Sequence, residues 1–472
     1  MSTIVVIREV WKMKGYREFP VVRGIAYLSL TAAMNAVWLG GLRAESDATW
    51  TGSKLYVPIA ALLYLMAYIL PDVSATGIPT KRLKRCYAGS VMLRGFLVST
   101  AVSVMIYILM LISGDRTRKE MIVAAVVIFL GELIYFWTGI IMVYLTSVQL
   151  GIDKRVIGLL CGMIPVAHLG ALSMITRTTL REVRDESCKH WIDEERKADR
   201  ICATRYPVIM VHGVFFRDFE HLNYWGRVPA ELEKNGAVVY YGGQQSAASV
   251  ARCGAELAET IRKVLKETGA DKVNVIAHSK GGLDSRYAVA QCGMAPYVAS
   301  LTTINTPHRG CEFADYLLSK APAGFKDKVA AAYNKASAAL GDQSPDFIEA
   351  VTDLTASRCS EINGLLNDDS FYEDAGGDIY RRSYGSKLNK ATSGKFPLNF
   401  SFHLVKYFDG ANDGLVGEKS FVWGRNFTFL TNDGKRGISH ADMIDLNREN
   451  IEGFDIREFY VQLLHELKER GL

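Results

Sequence analysis

The chain has no Cys-x-x-Cys pair and no Cys/His grouping at metal-ligand spacing; its eight cysteines are scattered over 472 residues. That spacing offers no disulfide framework, and a mostly reduced protein is expected. Internal repeats and low-complexity tracts are also missing. No cleavable signal peptide fits the opening residues, which are polar and basic and lack a small-residue cleavage site. Acidic charge is scarce early on. Residues 1–180 hold 18 lysines and arginines against nine acidic residues, and the remainder holds 37 against 41. The early basic residues form short clusters between apolar runs. That pattern flanks membrane segments and does not make a nucleic-acid face.

What is present is apolar. Hydrophobic residues make up 49% of the chain, and the mean hydropathy is +0.07. Five apolar runs stand out as candidate spans: Gly24–Leu42, Leu55–Leu70, Leu93–Ile112, Met121–Leu145 and Val156–Ile175. Each is near the length of about 20 residues that a bilayer requires. Arg94 lies at the edge of one and Glu132 inside another. A soluble helical domain with so many apolar runs would keep too little polar surface. Residues 1–177 are therefore expected to form a multi-span, all-α transmembrane domain, followed by a charged connecting helix over 178–204.

From residue 205 to 472 the pattern changes to alternating strands and helices. Pro207–Val211, Ala237–Tyr241, Val273–Ile276, Ala299–Ile304 and Ile379–Tyr384 read as strands, and Ser249–Thr268 reads as a helix ending at Gly269. This alternation predicts an α/β domain with a mostly parallel sheet. It lapses between about 311 and 376, where helical stretches at Phe325–Leu340 and Phe347–Leu354 suggest an insertion, either a lid or a peripheral helical layer.

Ala277-His278-Ser279-Lys280-Gly281 follows an apolar strand and opens a helix. Small residues two before and two after the serine let strand and helix crowd together, so the turn lifts the hydroxyl into the open. A serine needs a base to become nucleophilic. After it come His308, His403, His440 and His465. His440, in the last loop before the terminal helix, is the candidate base. Asp413, in the Asn412-Asp413-Gly414 turn, is the candidate acid, and Asp409 the runner-up. The backbone N–H groups of Val214, after His212-Gly213, and of Lys280 are candidate oxyanion donors.

Val211-His212-Gly213, Ala277-His278-Ser279-Lys280-Gly281-Gly282, Asn305-Thr306-Pro307-His308-Arg309-Gly310 and Asn412-Asp413-Gly414-Leu415-Val416, together with His440, resemble the bacterial triacylglycerol lipases of the α/β-hydrolase superfamily over about residues 205–470. The resemblance implies Ser279, Asp413 and His440 as a catalytic triad, with Val214 and Lys280 at the oxyanion hole. Ala277 departs from the usual glycine. Those lipases often hold structural calcium, and Asp442 matches one ligand position, although no second carboxylate is placed by motif and a helix-capping role is the alternative. No other cofactor is expected.

The expected function is that of a membrane-anchored serine hydrolase cleaving lipid esters through an acyl-enzyme on Ser279. Lipid acyltransfer or glycolipid deacylation with the same triad, and a catalytically dead membrane scaffold, are the alternatives. The expected partners are the bilayer and a lipid ester; the sequence leaves oligomeric state open. With five spans and the basic N-terminus and Lys81–Arg85 inside, the catalytic domain of this cell-membrane protein is expected outside the cytoplasm. Loss of one span would move it to the other side.

Overall fold

The computed structural model describes residues 15–36, 38, 51–114, 116–162, 164–214, 223–339, 341–432 and 436–472. Two compact units divide at residues 195 and 196.

The N-terminal unit contains helices α1 (Pro20–Met34), α2 (Thr51–Val73), α3 (Lys81–Ser113), α4 (Arg118–Thr146), α5 (Gly151–Cys161) and the long α6 (Pro165–Arg196). Three are long and apolar enough to cross a membrane: Tyr56–Val73, Lys81–Ser113 and Arg118–Thr146, with Pro20–Met34 apolar but shorter. Glu132 of α4 is buried and accepts a hydrogen bond from Ser99 of α3 at 2.5 Å. Residues 39–42 of the first candidate span lie outside the described residues.

The fifth candidate span, Val156–Ile175, is not one helix. The chain breaks between Cys161 and Pro165. Pro165 has no N–H to continue a helix from α5. At about 1.5 Å per residue, the 11 residues of α5 extend only about 16 Å. The first part of α6 then runs back beside it: a side chain at Gly158 of α5 would meet Ile175 of α6. Glu182 of α6 accepts hydrogen bonds from Ser147 Oγ (2.6 Å), Val148 N (3.1 Å), Gln149 N (3.1 Å) and Arg82 (2.6 Å). The chain thus leaves and returns to the end of the helix pack that carries the Lys81–Arg85 cluster.

The C-terminal unit is built on a six-stranded, wholly parallel sheet. Its strands are β1 (Val208–Val211), β2 (Val239–Tyr241), β3 (Val273–His278), β4 (Val298–Ile304), β5 (Tyr380–Ser386) and β6 (Phe427–Leu430), in the order β2-β1-β3-β4-β5-β6. Its helices are α7 (Val228–Lys234), α8 (Val250–Thr268), α9 (Lys280–Gln291), α10 (Glu312–Lys320), α11 (Ala323–Ala339), α12 (Phe347–Thr352), α13 (Ala356–Leu366), α14 (Leu398–Asp409), α15 (Glu418–Phe421) and α16 (Ile456–Glu469).

Strands β1 and β3 are buried on both faces, which explains the unbroken apolar run of β1 and the mostly apolar β3, whose Asn274 is also buried. Ile209, Val211, Val275 and Ala277 pack with Leu257, Ile261 and Ala288 of α8 and α9. Met210 and Ile276 point the other way, toward Trp225, Val228, Tyr460 and Leu464. Helix α8 begins where the Ser249 side chain accepts from Arg252 N and ends at Gly269 with φ of 69°. This is an α/β-hydrolase fold, and α10 to α13 fill the interval where the alternation lapses.

Candidate active site

The apolar run of β3 stops at Ser279, which takes φ 55° and ψ −131° between strand and helix α9. A non-glycine residue rarely holds this backbone, and such strain collects at functional sites. The Ser279 N–H donates to the Ile304 carbonyl at 2.9 Å and fixes the turn to β4. The small neighbours are sterically required. A side chain at Gly281 would strike the His212 carbonyl, and one at Gly282 would strike Thr306. Ala277 is fully buried between strand and helix, so its methyl is accommodated.

His440 and Asp413, 27 residues apart, meet in the loops beyond β5 and β6. His440 Nδ1 lies 2.7 Å from Asp413 Oδ2, and the His440 N–H donates to the Asp413 carbonyl at 2.9 Å. Asp413 is fully buried. Its carboxylate also accepts from Leu415 N (2.9 Å), Val416 N (2.8 Å) and Asn305 Nδ2 (2.6 Å). These donors hold the carboxylate in place, and as the partner of Nδ1 it orients the imidazole so that Nε2 is the ring nitrogen left to act as a base. Asn305, directly after β4 with φ of 47°, opens the Asn305–Gly310 motif, and only the fold brings it to Asp413.

Ser279, His440 and Val214 line one cavity of about 290 Å³. Among the described residues no hydrogen bond joins the Ser279 hydroxyl to His440, a separation common before substrate is bound. Nor do the Val214 and Lys280 backbone N–H groups find a partner among the described residues. Lys280 opens α9, so its N–H belongs to the positive end of that helix. The rest of the cavity wall is mostly apolar. Phe313, Leu317, Val329, Phe347 and Ile348 come from α10, α11 and α12. The inserted helices therefore wall the cavity.

Behind His440, the ring of His278 lies 4.4 Å away between centroids. Burial, and then His440, hold His278 well below the usual imidazole range, so it is neutral. Its Nδ1 meets Tyr224 Oη at 2.8 Å, and that hydroxyl accepts from Gly213 N at 3.0 Å. The Lys280 side chain turns inward to Asp284 at 2.7 Å. Burial opposes its charge, but Asp284 and Cys253 together outweigh that and hold the ammonium's pKa above its usual range.

The other candidates lie elsewhere. His308 is buried, stacks on Trp423 at 4.9 Å and meets Thr303 Oγ1 at 2.9 Å. His403 sits on the exposed face of α14, and His465 pairs with Glu469 on α16. Asp409 accepts from Glu312 N (3.1 Å) and Phe313 N (3.3 Å), capping α10. Asp442 accepts from Arg436 (2.9 Å) and Ser439 N (2.8 Å). A guanidinium already supplies the positive charge there, and among the described residues no three His, Cys, Asp or Glu side chains converge to hold an ion.

Residues 207–343 match the palmitoyl protein thioesterase family. The chain is 41% identical over 179 residues to a triacylglycerol lipase of Pseudarthrobacter phenanthrenivorans, covering 35% of this chain and 55% of that protein. A triacylglycerol lipase of Burkholderia plantarii is 41% identical over 179 residues, 35% of this chain and 49% of that one. The chain thus spans about half the length of these two relatives. Among solved structures, the mature lipase BlEst2 of Bacillus licheniformis is 23% identical with a TM-score of 0.40, covering 56% of this chain and 92% of that one. Over part of its length the chain is thus similar to triacylglycerol lipases.

Proposed function

We propose that this protein is a membrane-anchored serine hydrolase that cleaves carboxylic esters of lipids. The observation that carries the reading is the opening of strained Ser279 and of His440, itself held by buried Asp413, into one mainly apolar cavity. The similarity to triacylglycerol lipases supports the reaction class. As the Ser279 oxygen attacks the ester carbonyl, its proton passes to His440 Nε2. Asp413 holds the opposite ring N–H and stabilises the imidazolium. The Val214 and Lys280 N–H groups receive the oxyanion, aided by the α9 terminus. Collapse returns the proton to the leaving alcohol. Water, deprotonated by His440, then attacks the acyl-enzyme and releases a fatty acid and free Ser279. No step needs a metal.

The apolar helices α2, α3 and α4 support attachment to a membrane. The side follows from where the chain emerges. The Lys81–Arg85 cluster, with Lys154 and Arg155, favours the cytoplasmic face. Glu182 lies at that same end. If Pro20–Met34 and the three longer apolar helices cross and Val156–Ile175 does not, the hydrolase domain faces the cytoplasm, the side opposite to the five-span expectation. Eight free cysteines suit that reducing compartment.

The test is fluorophosphonate labelling of the full chain, with the adduct located by mass spectrometry, and turnover of p-nitrophenyl esters of graded length and of intact phospholipids. Label on Ser279 and turnover rising with acyl length support the reading. An unlabelled, inactive chain leaves the scaffold alternative. Acyl groups recovered on an added alcohol in preference to water would make it a transferase.

A further inference from the structure

Helix α14 has two different faces. Leu398, Phe402 and Val405 point into the unit and are buried. Outward on α14, Phe400, His403 and Tyr407 recur at spacings of three and four residues along one stripe, and Phe396 is exposed just before the helix begins. Phe396 is 83% exposed, Phe400 82% and Tyr407 82%. Isolated exposed apolar residues are ordinary, but two almost fully exposed aromatic rings on one helical face, with a third just before the helix, are not. Lys390, Lys395 and Lys406 are exposed beside the stripe; Lys395 also pairs with Glu449 at 2.6 Å. Aromatic rings flanked by lysines match the boundary of a bilayer whose headgroups are anionic.

The stripe is mechanically joined to the candidate active site. At the C-terminal end of α14, Asp409 caps α10, and the Phe408 ring lies 5.0 Å from Tyr316 of α10. Phe313 and Leu317 of that same helix wall the cavity. Ser401 Oγ donates to the Gly414 carbonyl at 2.5 Å, one residue after Asp413. One helix therefore carries an exposed aromatic face, holds the cavity wall and abuts the loop of the acid.

We propose that Phe400 and Tyr407 on the outer face of α14, with Phe396 just before it, seat the hydrolase domain on an anionic lipid surface, with the rings among the acyl chains near the headgroups and the lysines against phosphate. The benefit to catalysis rests on the lipid-ester reading of Ser279, but seating itself is measurable without turnover.

The experiment uses the full chain carrying Ser279→Ala, reconstituted in phosphatidylcholine and phosphatidylglycerol nanodiscs, with and without bromine on the acyl chains. Phe400→Trp adds one indole to the stripe. Its emission, taken as the difference from the parent, is expected to be blue-shifted and to fall about twofold with brominated lipid, as for a side chain at the acyl boundary. Glu267→Trp, on the exposed face of α8, serves as the reference and is expected to show neither effect. A water-like emission indifferent to bromine overturns the proposal. A blue shift without quenching also does, because it would mean a protein surface or a second copy covers the stripe. In the Ser279 enzyme, combined Phe396→Ser, Phe400→Ser and Tyr407→Ser is expected to lower hydrolysis of vesicle-borne ester about tenfold while sparing a soluble short-chain ester. Equal loss on both substrates would assign the stripe a merely structural role and overturn it.

Discussion

Ser279 is held in its strained turn by neighbours that tolerate no bulk, so its chemistry can be removed without disturbing its backbone. Ser279→Ala is expected to abolish fluorophosphonate labelling and lower ester turnover by about 10⁴-fold or more, with the folded signal intact. His440→Ala should match it in turnover, whereas His465→Ala, on the surface of α16, should stay near the parent. A dead His465→Ala would remove His440 from its assigned place. Asn305 acts through Asp413 rather than on substrate. Asn305→Ala removes one of four donors to that carboxylate. The expected result is a fall in kcat of about tenfold with KM little changed. A change confined to KM would contradict a positioning role.

At the scale of elements, the cavity depends on how α10 is anchored. Its N-terminal N–H groups at Glu312 and Phe313 are satisfied by Asp409 of α14, which the sequence offered as the alternative acid. Asp409→Ala should cost about 1 kcal/mol of stability as a lost cap. It should leave labelling of Ser279 intact and reduce turnover of long-chain esters more than of short ones, since α10 carries Phe313 and Leu317. If labelling disappears instead, Asp409 and not Asp413 serves the histidine. The strands were legible because buried parallel strands are short apolar runs bounded by polar turns. Strand β6 (Phe427–Leu430) and the amphipathic nature of α14 were not. Only four residues long, β6 carries little periodicity, and α14 places aromatic residues on both faces.

For the whole molecule, His278 and His308 are both buried and neutral. Burial holds each well below the usual range, followed by His440 for the first and Arg286 for the second. Below pH about 6.5 the unfolded chain takes up protons at these positions and the folded chain does not. Stability of the hydrolase unit should therefore fall as pH drops from 7.5 to 5.5, read by denaturant unfolding in detergent; an unchanged midpoint would count against neutral histidines. Orientation gives a second check. Protease added to intact cells should spare the hydrolase domain and cut it after lysis, if the chain leaves the membrane at the Lys81–Arg85 face. Cleavage in intact cells would restore the five-span arrangement.

The sequence alone determined the α/β pattern, the serine turn, and the order of serine, acid and histidine, because each is a local signal: period, small-residue spacing or position along the chain. It also marked the apolar helices, since length and hydropathy are properties of a segment. Tertiary structure decided what depends on residues far apart. Asn305 joined Asp413 across 108 positions, Arg436 took the place beside Asp442, and α10 to α12 became a cavity wall. Glu182, folded back onto Arg82 and Ser147, turned a fifth apolar run into a returning hairpin. Hydropathy counts apolar residues along a line, whereas a crossing requires one unbroken helix, and the break before Pro165 becomes decisive only when the two halves pack side by side.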